Sequence, residues 1–227
     1  NPLHPRYYKT TPAHNTVTIG GRNMAARGGK LLDFNTSDRC SAAVAAAETV
    51  YDGFDLKRRL LLGSGFLVDE FVIKGDTPDT LDWFIRADGE LTLAGTSEPI
   101  EERPLSPPYA YLLDLKGTET PDQWSATWQC GAPKENTPRA TLVVTMQGEP
   151  GTQVTQSRAP GGAKLAQNWG TLRVRRQAKM TRFVAVHQLV KAGEVRPTVV
   201  FEGRTVRIGG HIVDLGQDDS QAPKLLD

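Results

Sequence analysis

Short runs in which polar and apolar residues alternate recur along the chain. Thr16-Val17-Thr18-Ile19 is the first, and in Gln123–Gln129 the residues Trp124 and Trp128 fall on one face. Alternation with a period of two is typical of a strand with one buried face. More than ten such runs are separated by glycine and proline turns at intervals of about 8–12 residues, as in antiparallel sandwiches and barrels. The sequence therefore predicts an all-β protein, specifically a large antiparallel β-sandwich.

The densest strand signals lie between residues 56 and 93. Arg58–Leu62, Phe66–Lys74 and Thr80–Arg86 are β-rich runs, divided by Gly63-Ser64-Gly65 and by Gly75-Asp76-Thr77-Pro78. Short connections of this composition predict hairpin turns. The later runs that we predict as strands are Leu142–Met146, Gln153–Gln156, Leu172–Arg176, Thr181–Leu189, Thr198–Phe201, Thr205–Ile208 and Ile212–Leu215.

One window, Cys40–Val50, has the composition of a helix, because its alanines favour that conformation. We nevertheless predict a strand there. The window leads directly through Tyr51-Asp52-Gly53-Phe54 into the run Lys57–Leu62, and small residues suit a strand that packs tightly against its neighbours.

The chain shows no internal repeat and no shift in composition, so we predict a single sandwich domain over residues 1–216. Residues 1–37 are expected to form a polar opening segment followed by a loop, and prolines disfavour a helix in residues 1–15. Residues 95–110 hold four prolines and predict a long loop, a candidate rim of a binding surface. The polar residues 217–227 predict a flexible tail.

Composition narrows the function classes. With 38% hydrophobic residues and a mean hydropathy of −0.40, the chain is typical of a soluble globular protein. No apolar run approaches the roughly 18 residues that span a bilayer. A net charge of +1 with dispersed lysines and arginines argues against a nucleic-acid surface. Even Arg173-Val174-Arg175-Arg176 alternates like a solvated strand face.

The two cysteines, Cys40 and Cys130, leave a disulfide and a free pair equally open, and they lack metal-binding spacing. The N-terminus carries no signal-peptide pattern. Asn1-Pro2-Leu3 is expected to be the middle of a longer chain. The missing signal therefore does not indicate a cytoplasmic protein.

The segment from Arg6 to Asn15 concentrates the candidate chemistry: a guanidinium, two phenols, an imidazole and a carboxamide. Arginine suits carboxylate and sulfate recognition because its planar fork bonds two oxygens. The residues alone equally allow a plain structural role. Tyr7 and Tyr8 would then be one buried and one exposed aromatic, His14 a turn histidine, and Asn15 a turn cap.

Other conspicuous residues have ordinary explanations. Trp83, Trp124 and Trp128 are predicted to pack in the core rather than to stack on sugars. The remaining predictions are that His187 and His211 are strand residues, that His4 is exposed, and that Asp69, Glu70, Asp79 and Asp82 lie on a solvated surface rather than forming a catalytic carboxylate pair.

The segment Arg6–Val17 resembles the motif R-Y-Y-x-[ST]-T-x-A-H-N-T-V of the heparinase II/III-like polysaccharide lyases, a family that includes oligoalginate and heparin lyases. Further segments match that family in order: Arg58–Leu62 with Phe66–Phe71, Thr80–Leu91, Gln147–Thr152 and Arg182–His187. Arg86 stands where many relatives have a histidine. The resemblance implies that the chain is the C-terminal β-sandwich of such a lyase, a periplasmic or secreted enzyme.

Enzymes of this family cleave uronate-containing polysaccharides by β-elimination, and their principal catalytic residues belong to an N-terminal α/α-barrel. The resemblance therefore implies a polysaccharide lyase whose sandwich completes the cleft of that barrel and is inactive alone. We assign Tyr7 as the catalytic candidate and Arg6 and Asn15 as substrate-binding candidates. His14 is the metal candidate, as one ligand of a structural zinc shared with residues outside this chain. The resemblance thus implies that residues 1–37 are an interface and metal-proximal segment followed by a loop.

The expected partners are the helical portion of the same enzyme and a uronate-containing polysaccharide or oligosaccharide, without nucleic acid or membrane. The resemblance also allows a homodimer. Two other readings stay open: a non-catalytic carbohydrate-binding module, and a purely structural β-sandwich in which His14 is satisfied internally.

Overall fold

The computed structural model describes residues 3–100, 108–130, 140–161 and 167–226. Over these residues the strands form a twelve-stranded and a four-stranded sheet, and every pairing is antiparallel, which confirms the all-β sandwich. The strands are β1 Val17–Ile19, β2 Lys30–Thr36, β3 Ser41–Tyr51, β4 Phe54–Gly63, β5 Phe66–Ala87, β6 Gly89–Leu93, β7 Glu98–Pro99, β8 Leu113–Glu119, β9 Trp124–Cys130, β10 Ala140–Met146, β11 Gln153–Pro160, β12 Asn168–Lys191, β13 Val199–Glu202, β14 Thr205–Ile208, β15 His211–Asp214 and β16 Lys224–Leu226. The helical turns are His4–Tyr8, Thr11–Ala13 and Tyr109–Tyr111.

Two long strands, β5 and β12, run side by side through the large sheet, whose main order is β2-β3-β4-β5-β12-β10-β9-β6. The other edge of β5 pairs first with β4 and then with β1, while β11 joins β12 to β8. Strand β3 contains the alanine-rich window, which confirms the strand predicted there. The alternation of the sequence therefore identified most strands correctly.

The hairpin predicted at residues 75–78 is wrong. Lys74 lies opposite Met180 and Asp79 lies opposite Ala178, so four residues of β5 face the single Lys179 of β12. A bulge of this kind bends a strand without ending it. For the same reason the two runs predicted after residue 172 are one strand, β12.

The small sheet, in the order β13-β14-β15-β16, packs on one face of the large sheet. The apolar residues buried in this contact are Ala42, Val44, Leu61, Phe66, Val68, Val184, Val186, Val199, Val206, Ile208, Val213, Leu215 and Ala222. The sequence predicted a flexible tail from residue 217, whereas its described part forms β16 and buries Asp219 beside Lys74 and Arg182. The single-domain assignment stays a prediction.

The other face of the large sheet carries a second core. Trp83, Trp124 and Trp128 are buried there, as predicted. Cys40 and Cys130 are both free. Of the loop predicted at 95–110, residues 101–107 lie outside the described part of the chain. No helix in the ranges that the structure describes is long and apolar enough to cross a bilayer.

Charged residues are buried where a solvated surface was predicted, and this is the main correction to the fold. Asp69, Glu70 and Asp82 are fully buried, whereas Asp79 is partly exposed. Arg173 and Arg176, assigned to a solvated strand face, are buried as well. Such groups survive burial because partners of opposite charge or carbonyl oxygens replace the lost water.

Candidate functional site

The opening segment, residues 3–16, begins with a π-helical turn over His4–Tyr8 and a 3-10 turn over Thr11–Ala13. The prediction that prolines exclude helix here is wrong, because Pro5 and Pro12 occupy early positions in short turns. At those positions an amide proton has no partner within the helix, so proline costs little.

The end of the opening segment is fastened to β5 by the side chain of Asn15. Its Oδ1 accepts a hydrogen bond from the backbone N–H of Arg86 at 2.9 Å, and its Nδ2 donates to the Arg86 carbonyl at 3.4 Å. The backbone N–H of Phe84 donates to the Thr16 carbonyl at 2.8 Å. Asn15 thus extends the β1–β5 ladder with its amide, and both ends of that amide are occupied.

Arg58 fastens the same residue from the other side. Its Nη1 donates to the Asn15 carbonyl at 3.1 Å, while its Nε and Nη2 hold the carboxylate of Asp69 at 2.9 and 2.8 Å. His187 Nε2 lies 3.6 Å from that carboxylate. Burial alone would raise the pKa of Asp69, but His187 and Arg58 outweigh it and hold the pKa below its ordinary value. His187 is a strand residue of β12. The ion pair between Arg58 and Asp69 anchors the opening segment, because Arg58 also donates to the Asn15 carbonyl.

Tyr7 is the buried residue of the first turn of the opening segment, and it lines none of the cavities described here. Its ring is fully buried and packs on Tyr8 and Tyr111 at centroid distances of 5.7 and 5.1 Å. Its hydroxyl accepts a hydrogen bond from Arg86 Nη1 at 2.7 Å. Burial raises the pKa of Tyr7 to about 12, although Arg86 opposes that shift. Burial and a raised pKa disfavour Tyr7 as a catalytic base. We therefore reassign it to packing beneath Arg86, and its catalytic role stays a prediction.

Tyr7→Phe tests this reassignment. The change removes one buried hydrogen bond from the charged Arg86 guanidinium, so we expect a loss of about 1.5–3 kcal/mol in the free energy of unfolding. Binding of anionic oligosaccharides should stay unchanged. Chemical denaturation and calorimetric titration measure the two quantities, with the partly exposed Tyr111→Phe as the matched control. A large loss of binding at unchanged stability would restore Tyr7 as a contact residue.

Arg86 is the residue around which the site is built. Its side chain is 7% exposed, and its guanidinium lies 5.3 Å from the ring centroids of both Tyr7 and Trp169. It donates to the Tyr7 hydroxyl, to the Ala13 carbonyl at 3.3 Å and to the Pro160 carbonyl, while Nε has no partner among the described residues. No Asp or Glu in the described ranges neutralises its charge. A buried cation without a counter-ion attracts an anion.

An open pocket of about 420 Å³, here called the Arg86 pocket, lies over this guanidinium. It is lined by Tyr8, Ala13, His14, Asn15, Arg86, Gly161 and Trp169. The structure thus brings His14 and Asn15 together, but neither Tyr7 nor Arg6 lines the pocket; Arg6 is exposed. Sequence reasoning included Tyr8 in the candidate chemistry without assigning it a role, and it missed Arg86 and Trp169 as site residues. Of these two, only Arg86 gave a signal, since a histidine was expected at its position from the resemblance.

The described residues do not by themselves form a zinc site. His14 is exposed, and no group of three or more His, Cys, Asp or Glu side chains occurs in the described ranges. Zinc in proteins is commonly held by about four ligands. Arg86 also places a positive charge in the same pocket, which disfavours a cation there. His14 can supply one ligand at most.

The fold is that of part of several solved lyases. A heparan sulfate lyase from Pedobacter heparinus superposes on 96% of this chain with a TM-score of 0.62 at 11% identity. A heparinase III matches 96% of the chain with a TM-score of 0.63 at 12% identity, and another matches 100% with a TM-score of 0.59 at 13% identity. The matched part is 30 to 31% of those chains. No family model and no curated protein matches the sequence.

Proposed function

We propose that this chain is the β-sandwich part of a polysaccharide lyase, which cleaves a uronate-containing polysaccharide or oligosaccharide by β-elimination. The observation that carries this proposal is the buried guanidinium of Arg86, which no carboxylate of the described residues compensates and which belongs to the lining of an open pocket. The chain spans about a third of the length of the lyases whose fold it shares. The helical catalytic portion and its cleft therefore belong to the proposal.

The chemistry explains why such a lyase needs a cation. β-Elimination removes a weakly acidic proton from the carbon beside a carboxylate, and negative charge grows on that carboxylate as the proton leaves. Fixed positive charge or hydrogen-bond donors near the carboxylate stabilise this charge in the transition state. Arginine stays protonated at every working pH, so Arg86 offers this stabilisation without a proton transfer of its own.

Arg86 still has donors to offer. A guanidinium carries five N–H groups, and Arg86 uses three in hydrogen bonds to Tyr7, Ala13 and Pro160. We propose that a carboxylate or sulfate in the pocket meets the guanidinium through the remaining groups or through water. Tyr8 and His14, which line the pocket and are not fully buried, would contact the sugar.

In this proposal the sandwich binds the negatively charged groups of the substrate. The helical portion supplies the catalytic base and acid. Neither Tyr7 nor Asn15 is free to move a proton, because Tyr7 is buried and both ends of the Asn15 amide are bonded. The chain alone is therefore proposed to bind substrate without cleaving it. A zinc at His14 would require its other ligands from residues outside this chain. A periplasmic or secreted location and a homodimer accompany the proposal as expectations.

The test has a binding arm and an activity arm. Uronate-containing oligosaccharides, both sulfated and unsulfated, are titrated into the chain at low and high salt, with neutral cello-oligosaccharides as the control. We expect anionic sugars to bind and salt to weaken them. When the chain is combined with a helical lyase portion, ultraviolet absorbance from unsaturated uronate should appear on at least one polymer. Anion binding without product would favour a non-catalytic carbohydrate-binding module, and no anion binding would refute the proposal.

A further inference from the structure

A second cavity, of about 610 Å³ and here called the threonine cavity, lies away from the opening segment. Its walls are the ends of β6 and β8, the starts of β9 and β13, and residues of β10 and β11. It shares no lining residue with the Arg86 pocket. Its volume falls within the roughly 300–1,000 Å³ of small-molecule sites. The lyase proposal assigns it no role.

Hydroxyl groups dominate the wall of this cavity. Six lining residues carry one: Thr96, Thr118, Thr120, Ser125, Thr145 and Thr198. A hydroxyl both donates and accepts, so a cluster of them matches a ligand that is itself rich in hydroxyls. The exposed carboxylates of Glu119 and Asp122 add strong acceptors, which suit the O–H donors of a sugar.

The charged and apolar residues of the lining restrict the chemical class of the ligand further. The lining contains two carboxylates and one guanidinium, that of Arg196, so its net charge is negative. This is the reverse of the Arg86 pocket, and it disfavours a uronate or a sulfated sugar. Leu93, Trp124 and Val154 are buried residues of the lining and give it an apolar portion. Such a surface suits the C–H face of a sugar ring.

Two buried polar atoms of the lining have no hydrogen-bond partner in the described part of the chain, Thr145 Oγ1 and Trp124 Nε1. Both residues are more than nine-tenths buried. Thr145 lies opposite Ser125 and Trp124 opposite Met146, so the two side chains leave the sheet on opposite faces. Buried polar side-chain atoms usually have a partner. A hydroxyl of a bound sugar, or water that the sugar holds in place, can pair with the Thr145 hydroxyl after a rotation of that side chain toward the cavity.

We propose that the threonine cavity binds a neutral sugar, such as one or two residues of an uncharged glycan. The site is separate from the Arg86 pocket and independent of the lyase proposal. A protein with both sites would hold an anionic glycan at one and an uncharged glycan at the other. In that case the second site would attach the protein to a neutral polymer that it does not cleave.

Calorimetric titration of the chain with cellobiose, maltose and lactose, and with glucuronate as the anionic probe, tests this proposal. We expect at least one neutral disaccharide to bind and glucuronate not to compete with it. Thr96→Val combined with Thr198→Val removes two exposed hydroxyls from the wall and should weaken binding at least about tenfold, as should Glu119→Gln. Thermal unfolding checks that each variant is folded.

The controls are matched in chemistry and lie outside the cavity. Thr92→Val and Glu90→Gln alter exposed residues of β6 that do not line the threonine cavity, and they should leave sugar affinity unchanged. The proposal is overturned if none of the disaccharides binds, if glucuronate displaces the bound sugar, or if the controls weaken binding as much as the cavity variants. Each result stands whether or not the chain takes part in a lyase.

Discussion

Glu70→Gln is expected to lower the free energy of unfolding by about 3–5 kcal/mol, the usual cost of removing one partner from a buried ion pair. The Glu70 carboxylate is fully buried and accepts hydrogen bonds from Arg59 at 2.6 Å, Arg182 at 2.9 Å and Arg204 at 2.5 Å. Glutamine fills the same volume but carries no charge. Three guanidinium groups would then share a single neutral acceptor.

The same change should loosen the contact between the two sheets. Arg204 lies between β13 and β14 of the small sheet, and Arg59 of β4 also donates to the Leu215 and Gln221 carbonyls. Glu70 thus gathers arginines from both sheets. Urea denaturation, monitored by circular dichroism, measures the loss in the free energy of unfolding. In hydrogen exchange, the backbone amides of β13 to β16 should lose protection first.

A surface pair provides the control for Glu70. Glu202 and Arg207 form an ion pair at 2.8 Å in which both side chains are about half exposed. Exposed pairs of this kind contribute little, typically below about 1 kcal/mol. Glu202→Gln should therefore barely change the unfolding midpoint. If the two substitutions cost the same, the buried cluster around Glu70 does not stabilise the fold in the way we describe.

Most of the fold could be predicted because strands leave a local signal. Alternation and turn residues located the strands, including the alanine-rich β3, whose composition favoured a helix. The buried charges left no such signal. Arg59 and Glu70 are directly opposite each other on β4 and β5, and so are Arg175 and Asp82 on β12 and β5. Those pairings depend on the register between two strands. A single stretch of sequence carries no information about that register.

The same limit explains what could be predicted of the site. His14 and Asn15 stand together in the sequence and line one pocket, so local reading found them. Arg86 and Trp169 reach that pocket from β5 and β12, and only the pairing of those strands brings them there. Which of Tyr7 and Tyr8 is buried depends on the π-helical turn His4–Tyr8. From the sequence, the prolines predicted that no helix forms there.

Arg86→Gln should weaken binding of uronate-containing oligosaccharides about tenfold or more, which corresponds to at least about 1.4 kcal/mol of binding free energy. The variant keeps a hydrogen-bond donor near the Pro160 and Ala13 carbonyls but removes a buried charge that no carboxylate in the described ranges compensates. Salt should then weaken the residual binding less than it weakens wild-type binding. Arg207→Gln, on the small sheet and outside the Arg86 pocket, is the matched control.

Arg86→His makes the same point through pH. A free histidine titrates near pH 6.5, about the midpoint of the range from pH 5 to 8, whereas arginine keeps its charge throughout. As the pH rises from 5 to 8, the histidine variant should therefore lose more affinity for anions than the wild type. His14 is present in both proteins, so its contribution cancels in the comparison. Circular dichroism at each pH confirms that both proteins stay folded. Parallel pH profiles in the two proteins would show that the charge at position 86 does not hold the anion, and the role of the Arg86 pocket in substrate binding would have to be given up.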